Sequence, residues 1–589
     1  MKKLTLALLA SALLVVFGTS NSVRAETPTP SPSPMQDWVP DESKPIMSYC
    51  QKDLYACDGY VAASDEQYLP PWVPGFKNYQ GYYHNDLAGL YRMTSYAIAI
   101  TRDGSGNATS VVACSDITAS NCTGTRIMVR AVMPPCSDAV TIDCFKDFVV
   151  KDADGKNLDY TVEGPFPVGN PQYFTGSQAL RVPNGGAPTI IHIPGAPHKG
   201  GDAYLVKPEM DLMKDSAIPE FNVRSFQVSI TAVKLINGKY SFGKVSTNPA
   251  LFSGGFDENG DEEGGTPSYC AASSPTQCAA KYSLPLGIKL GLTVNLSRKI
   301  TGWLHGRVKG PEVDVSTNSA GGNTVKILAE PIKIPVNAAW VNNDVAPQSI
   351  KDFYNGKPNY GSSLWGPLSK YKPLSEIDLM RDANMGHNSD TLNEYLSWLT
   401  TLGDKAQAMP TAWTVQTMSN YQVSDQIQKC LNQTDSLAGI VTTNAAEYLD
   451  GPPVFDKASG SLDYKVAATH FEPDGTTVFR GTYDLVMSSK VARCIYGFTN
   501  APVSATVSVT SDSGGSNIAT TIVNERAGWL SLGAYNFTYS NPTIHVKLTG
   551  TLDQPVVPKV VAKKITCVKG KVSKVVTTAS CPTGFKKKI

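Results

Sequence analysis

Twelve cysteines set the strongest constraint on what this chain can become. Taken as consecutive pairs, the first eight enclose short segments of nearly constant length. Cys50 and Cys57 flank six residues, and Cys114–Cys122, Cys136–Cys144 and Cys270–Cys278 flank seven each. The enclosed segments are rich in Ser, Thr, Asp and Ala, as exposed loops are. An even count at repeated spacing in an exported chain reads as a disulfide framework. No Cys-x-x-Cys occurs, so the spacing of a zinc or thioredoxin site is missing. Each short bridge is expected to stabilise by about 2–3 kcal/mol in the chain-entropy model. The cysteines clip loops on a scaffold and imply an oxidising compartment. They name no reaction.

The N-terminal residues agree with export. Residues 1–25 read as a signal peptide: Lys2 and Lys3, an apolar run from Leu4 to Phe17, and an A-x-A-like cleavage site at Val23 and Ala25. That run is too short to span a bilayer, and no later stretch is long enough, so no transmembrane segment is expected after cleavage. Residues 26–36 form a Pro/Ser/Thr linker, whose ETPTPSPSP favours extended polyproline II and has nothing apolar to bury. The expected location is extracellular or on the cell surface.

Charge is divided unevenly. From Gln554 onward there is no Asp or Glu, but there are nine Lys: 559, 563, 564, 569, 571, 574, 586, 587 and 588. Without these and the signal peptide, 40 basic residues face 51 acidic ones, a body near −11 behind a tail near +9. The tail either stays solvated, docks on its own acidic body, or is drawn to an anionic surface such as a cell-wall polymer or polysaccharide. No recognition motif accompanies the lysines, so nucleic acid is not an expected partner.

The length predicts two to four domains. Charged residues are 17%, below the usual quarter, and Gly and Pro are plentiful. That balance favours short strands joined by turns. Residues 37–90 are aromatic and irregular. A β domain is expected at 91–165, and in it KDFVVKDADGKNLDYTV should form a hairpin turning at Asp154-Gly155. Further β domains follow at 166–345, with strands at 203–208, 223–236, 288–296, 312–316 and 324–336. Residues 346–450 are a mixed, partly helical insert. There Leu392, Tyr395, Leu396, Leu399 and Leu402 recur at helical spacing, Thr391-x-x-Glu394 resembles a capping box, and Gly403 is placed to end the helix. A second helical stretch is expected near 423–432. Residues 451–552 return to strands in a sandwich-like domain, 553–564 is a linker, and 565–589 is a basic clipped hairpin. A short echo, Gly302-Trp303-Leu304 before a Pro311-led strand and Gly528-Trp529-Leu530 before a Pro542-led strand, raises the option of two related β units.

Chemistry is harder to find. Asp512-Ser513-Gly514-Gly515 with His470 upstream suggests a protease triad. The 43-residue separation is far too short for two β-barrels, and a turn explains the motif. His192, His198 and Asp202 could ligate a metal but lack a helical pair or HExxH, and a loop entering the next strand accounts for them. The loop Asp257, Asn259, Asp261 and Glu263 places oxygen ligands at alternate positions and suits calcium. Glu262 stands where an EF-hand has glycine, and a solvated acidic loop is the plainer account. Tyr354, Tyr360, Trp365 and Tyr371 could stack on sugars, or staple their segment to a core.

Three stretches taken together are familiar: Cys114–Cys122 with GTRIMVRAVMPPCSDAVTIDC, Val441-TTNAAEYLDGPPVF through ARCIYGFTNAP, and the tail Ile565-TCVKGKVSKVVTTASCPTGFKKK. They resemble a group of uncharacterised secreted proteins of aquatic actinobacteria. The resemblance implies export and the pairs Cys430–Cys494 and Cys567–Cys581. It implies no activity and no catalytic residues.

The expected fold is mainly β: sandwich-like antiparallel β domains, a smaller α-helical insert and a C-terminal β-hairpin. The expected function is a non-enzymatic secreted or cell-surface protein for adhesion, binding or envelope structure, attached non-covalently. A secreted hydrolase acting on polysaccharide or peptide is the alternative.

Overall fold

Strands form where the chain runs apolar or alternates, and Gly-rich turns end them. A computed structural model describes residues 95–588 with interruptions, the longest at 167–172, 238–269, 356–378, 382–388, 419–428, 431–436 and 551–563. The signal peptide, the linker at 26–36, the aromatic segment at 37–90 and most of the stretch near 423–432 lie outside the described residues. The fold is mainly β, with helices at Gln348–Tyr354, Ser389–Trp398 and Ser489–Tyr496, and 429–430, the described end of the stretch expected near 423–432, are also helical.

One large sheet organises the molecule. Its main path runs Ala108–Ala113, Tyr96–Arg102, Arg126–Val132, Ala203–Asp215, Asn222–Asn237, Thr414–Thr417, Gly302–Arg307, Leu437–Thr443, Gly481–Ser488, Trp529–Phe537, Thr520–Arg526. Every pair of described strands is antiparallel except one. Gly302–Arg307 runs parallel to Leu437–Thr443, and the long crossover between them carries the helices Gln348–Tyr354 and Ser389–Trp398. Strand pairing therefore crosses the divisions expected at 165, 345 and 450. Partner choice in a sheet joins residues far apart in the chain, which local patterning does not carry.

Two smaller sheets cover opposite faces of this wall. Lys309–Thr317, Asn323–Glu330, Lys289–Asn295 and Cys144–Lys151 form one. The other runs Glu447–Tyr448, Ser461–Ala467, Pro542–Thr549, Ser504–Ser511, Ser516–Asn517. Successive side chains of a strand point to opposite faces. Leu304, Ile440 and Val486 thus enter a core shared with Leu290, Val294 and Ile327 of the four-stranded sheet. Their neighbours Trp303, Val441 and Leu485 enter a second core with Tyr464, Val466, Ile544 and Val546, closed further by Ile350, Tyr395, Trp398 and Ile495 of the helices. Burial on both faces explains why Leu437–Thr443 is buried at every position. The repeated Gly-Trp-Leu segments follow one route. Each lies in the large sheet, and the Pro-led strand after it joins a covering sheet, on opposite faces.

Several expectations change. The turn at Asp154-Gly155 forms, with Gly155 at φ +81 and Leu158 N–H bonded to Val150 O at 2.9 Å. It returns no full strand, because Thr161–Pro165 leaves to pair with Thr189–His192. The helix expected from Thr391 begins at Ser389 and ends at Trp398. Thr391 is inside it rather than before it, and the Glu394 carboxylate accepts the Tyr354 hydroxyl at 2.6 Å. Gly403 ends the turn that follows the helix, at φ +67. Tyr354 is fully buried, so it staples the helices together and offers no sugar platform. Ser489–Tyr496 is helical where a strand region was expected, with Val491, Ala492 and Ile495 buried and Gly497 in the left-handed conformation after it.

The short-range bridges Cys114–Cys122 and Cys136–Cys144 form, as do Cys430–Cys494 and Cys567–Cys581. Cys50 and Cys57 lie outside the described residues. Cys270 and Cys278 lie on paired strands, with Ala280 opposite Cys270, but their side chains fall outside the described set.

Candidate functional site

The tail is the most polarised unit. Ile565–Lys569 pairs with Val572–Val576 through a two-residue turn whose first residue, Gly570, has φ +59. A third short strand, Lys586–Lys587, pairs with the other edge of Ile565–Lys569, so the expected hairpin is a three-stranded sheet. So short a unit cannot bury much core. Cys567, fully buried, is tied to Cys581 across 14 positions, a closure worth about 3 kcal/mol. Lys564, Lys569, Lys571, Lys574, Lys586, Lys587 and Lys588 are all exposed. Lys574 and Lys587 stand opposite Cys567 on its two neighbours. Directly opposed residues share a face, so these two lysines and Lys569 occupy the same side. No carboxylate side chain lies within the unit.

The segment between Thr189–His192 and Ala203–Asp215 is a loop entering a strand. His192 places each ring nitrogen on a carboxylate, Asp202 at 3.0 Å and Glu163 at 2.7 Å. Asp202 first, then Glu163, holds its pKa above the ordinary histidine value. His198 uses both nitrogens on backbone: Nε2–H donates to Ala203 O at 2.9 Å, and Nδ1 accepts the Gly200 N–H at 3.1 Å. His192, His198 and Asp202 are therefore spent on fixing the loop, and among the described residues no cluster suited to a metal occurs. The loop tip is a tight turn, with His198 N–H on Gly201 O at 2.8 Å and Gly201 N–H on His198 O at 3.1 Å. Gly201 has φ +127, and a Cβ on Gly200 would meet the Tyr282 ring at 2.6 Å. Only glycine lets this backbone lie against Tyr282.

Two buried polar groups flank the shared sheet, and the sequence reading missed both. On the second-core face, Gln416 donates to His305 Nε2 at 2.9 Å, so His305 Nδ1–H donates to Tyr448 Oη at 2.8 Å. Burial, then the Arg307 charge, lowers the His305 pKa to about 3. Arg307, fully buried, donates to the carbonyls of Thr443, Ala445 and Ala446 and lies 4.6 Å from the Tyr448 ring centre. Those carbonyls belong to the segment crossing from the large sheet to the six-stranded one, where ladder partners run out. On the other face, Asp484 accepts from Tyr535 Oη, from Gly310 N–H at 3.1 Å and from Thr442 Oγ at 3.4 Å. Burial pushes its pKa up to about 6.

The outer face of the six-stranded sheet carries Asp463, His545 and Ser508 in one cross-strand row. His545 Nδ1–H donates to Asp463 at 2.6 Å. The face is a sheet whose N–H groups serve the ladder, so it supplies no donors to an oxyanion. His470 donates to Asp404 through Nδ1–H at 2.7 Å and its backbone N–H at 2.9 Å. Asp512, Ser513, Gly514 and Gly515 lie outside the described residues, as do Asp257, Asn259, Asp261 and Glu263 and the aromatic residues Tyr360, Trp365 and Tyr371.

The chain matches no protein-family model and no curated protein. Residue chemistry therefore carries the functional argument. Among the described residues, the lysine-covered tail and the turn at Lys199 present cationic groups outward. The buried histidine, arginine and aspartate serve the scaffold.

Proposed function

We propose that this is an exported, non-enzymatic protein of the cell surface, held to an anionic wall polymer or polysaccharide by its C-terminal basic unit. The carrying observation is the compact clipped sheet, with seven exposed lysines and no carboxylate side chain. A body near −11 and a tail near +9 make the molecule strongly dipolar, so an anionic surface attracts one end and repels the other. Each exposed lysine contributes little alone, so the attachment is collective. Four disulfides among the described residues support export, and no described helix is long and apolar enough to cross a membrane. The likeness to the secreted actinobacterial group is part of the same proposal.

The test compares the mature chain with a variant carrying Gln at all seven exposed tail lysines, on isolated cell envelopes. The variant should release while keeping the wild-type unfolding midpoint. Salt should release the wild type too, as the screening length shortens from roughly 8 Å near physiological strength to roughly 3 Å at about 1 M. Retention of the seven-Gln variant, or wild-type retention in that salt, overturns the proposal.

A further inference from the structure

A cavity of about 470 Å³ opens beside the Lys199 turn. Its volume falls in the range of small-ligand sites, roughly 300–1,000 Å³. Four separate pieces of chain meet there: the turn at 197–199, the connection at 282–286, and the paired strands Ile332–Lys333 and Thr411–Ala412. The walls are held in place. Thr411 Oγ–H donates to Leu284 O at 3.0 Å, the Gly200 backbone lies on Tyr282, and His198 has both ring nitrogens bonded.

The lining has a definite chemistry. It includes two lysines, Lys199 and Lys333, and no Asp or Glu. Its apolar lining includes Pro197, Leu284, Pro285, Leu286 and Met409, and Leu286 is 49% exposed although large and apolar. Lys333 is 42% exposed and its pair with Glu472 is long, at 3.9 Å. Such a pair is worth little, so a ligand anion can replace it at small cost. Two cations, no lining carboxylate and apolar surface in the same cavity suit a ring that carries one negative group and one C–H face.

We propose that this cavity binds a single uronic acid unit of an anionic polysaccharide, its carboxylate between Lys199 and Lys333 and its C–H face on Pro285 and Leu286. The proposal deepens the surface-binding reading above: the tail supplies sequence-blind attraction, and the cavity selects the sugar.

The experiment is calorimetric titration of the full mature chain with short oligosaccharides of glucuronic acid, neutral glucose oligomers, and glucose 6-phosphate. The glucuronic acid oligomers should bind, and a Lys199→Gln, Lys333→Gln double variant should bind about tenfold or more weakly with an unchanged unfolding midpoint. Leu286→Ser, an exposed change that leaves both charges, should weaken binding as well. Neutral oligomers binding equally well, glucose 6-phosphate binding more tightly than the uronic acid, or an unaltered double variant each overturns the assignment. The seven-Gln tail variant separates the two ideas. It should keep oligosaccharide binding while losing envelope retention, so a silent titration with intact retention refutes the cavity alone.

Discussion

His305 and Asp484 stand on opposite faces of the shared sheet, and their titrations act on stability with opposite signs. The folded pKa of Asp484, about 6, lies above its ordinary value of 3.8, so between these values the folded state holds a proton that the unfolded state releases. Its contribution is present below pH 3.8 and is lost as pH rises through about 6, a change of about 3 kcal/mol. The folded pKa of His305, about 3, lies below its ordinary value of 6.5. Its contribution is present above pH 6.5 and is lost as pH falls toward about 3, by about 5 kcal/mol. On acidification from pH 7 to pH 4, Asp484 thus offsets part of the His305 loss. Asp484→Asn should steepen the fall in urea-unfolding free energy over that interval, because Tyr535 can turn its hydroxyl to accept from the amide while the offsetting proton uptake is gone. His305→Gln should flatten it. Slopes parallel to wild type in both variants would contradict the assignment.

Among elements, the joint between the two cores is the most constrained. Gly439 lies opposite Trp303, and a Cβ there would meet the indole at 2.4 Å and Val486 O at 2.7 Å. Gly439→Ala should therefore lower the unfolding free energy by about 1–3 kcal/mol, as overpacking does. The Cys430–Cys494 bridge fixes the Ser489–Tyr496 helix across 64 positions, against 8 for Cys136–Cys144. The chain-entropy model gives about 4 and about 2.5 kcal/mol. Denaturation of the two Cys→Ser pair variants should rank them in that order, and the reverse ranking would speak against the loop-length account. Strand positions were legible because alternation is local: Asn222–Asn237, Lys289–Asn295 and Asn323–Glu330 fall where the pattern puts them. The Ser489–Tyr496 helix escaped because its apolar set, Val491, Ala492 and Ile495, is short and sits among strands. Gly497 was the available stop signal. The bond from Tyr354 to Glu394 was not legible, because the two residues are 40 positions apart.

For the whole molecule, the same contrast separates the two candidate sites. The tail was visible in the sequence because charge and spacing lie in one contiguous stretch. The cavity was not, since Lys199, Leu286 and Lys333 meet only through the fold. One sheet also lines both cores, so they should unfold together. Trp413 belongs to the first core, Trp303 and Trp398 to the second. Fluorescence of Trp→Phe variants that silence one core at a time should show coincident transitions, and two separated midpoints would break that expectation. A surface-held protein is also pulled. If the tail is the point of attachment, tension reaches the body through Pro542–Thr549, its last described strand. That strand is not at an edge: Ser461–Ala467 and Ser504–Ser511 flank it and pair with it on both sides. A pull along its axis loads two hydrogen-bond ladders in shear at once, so the grip on the surface should yield before the body unravels.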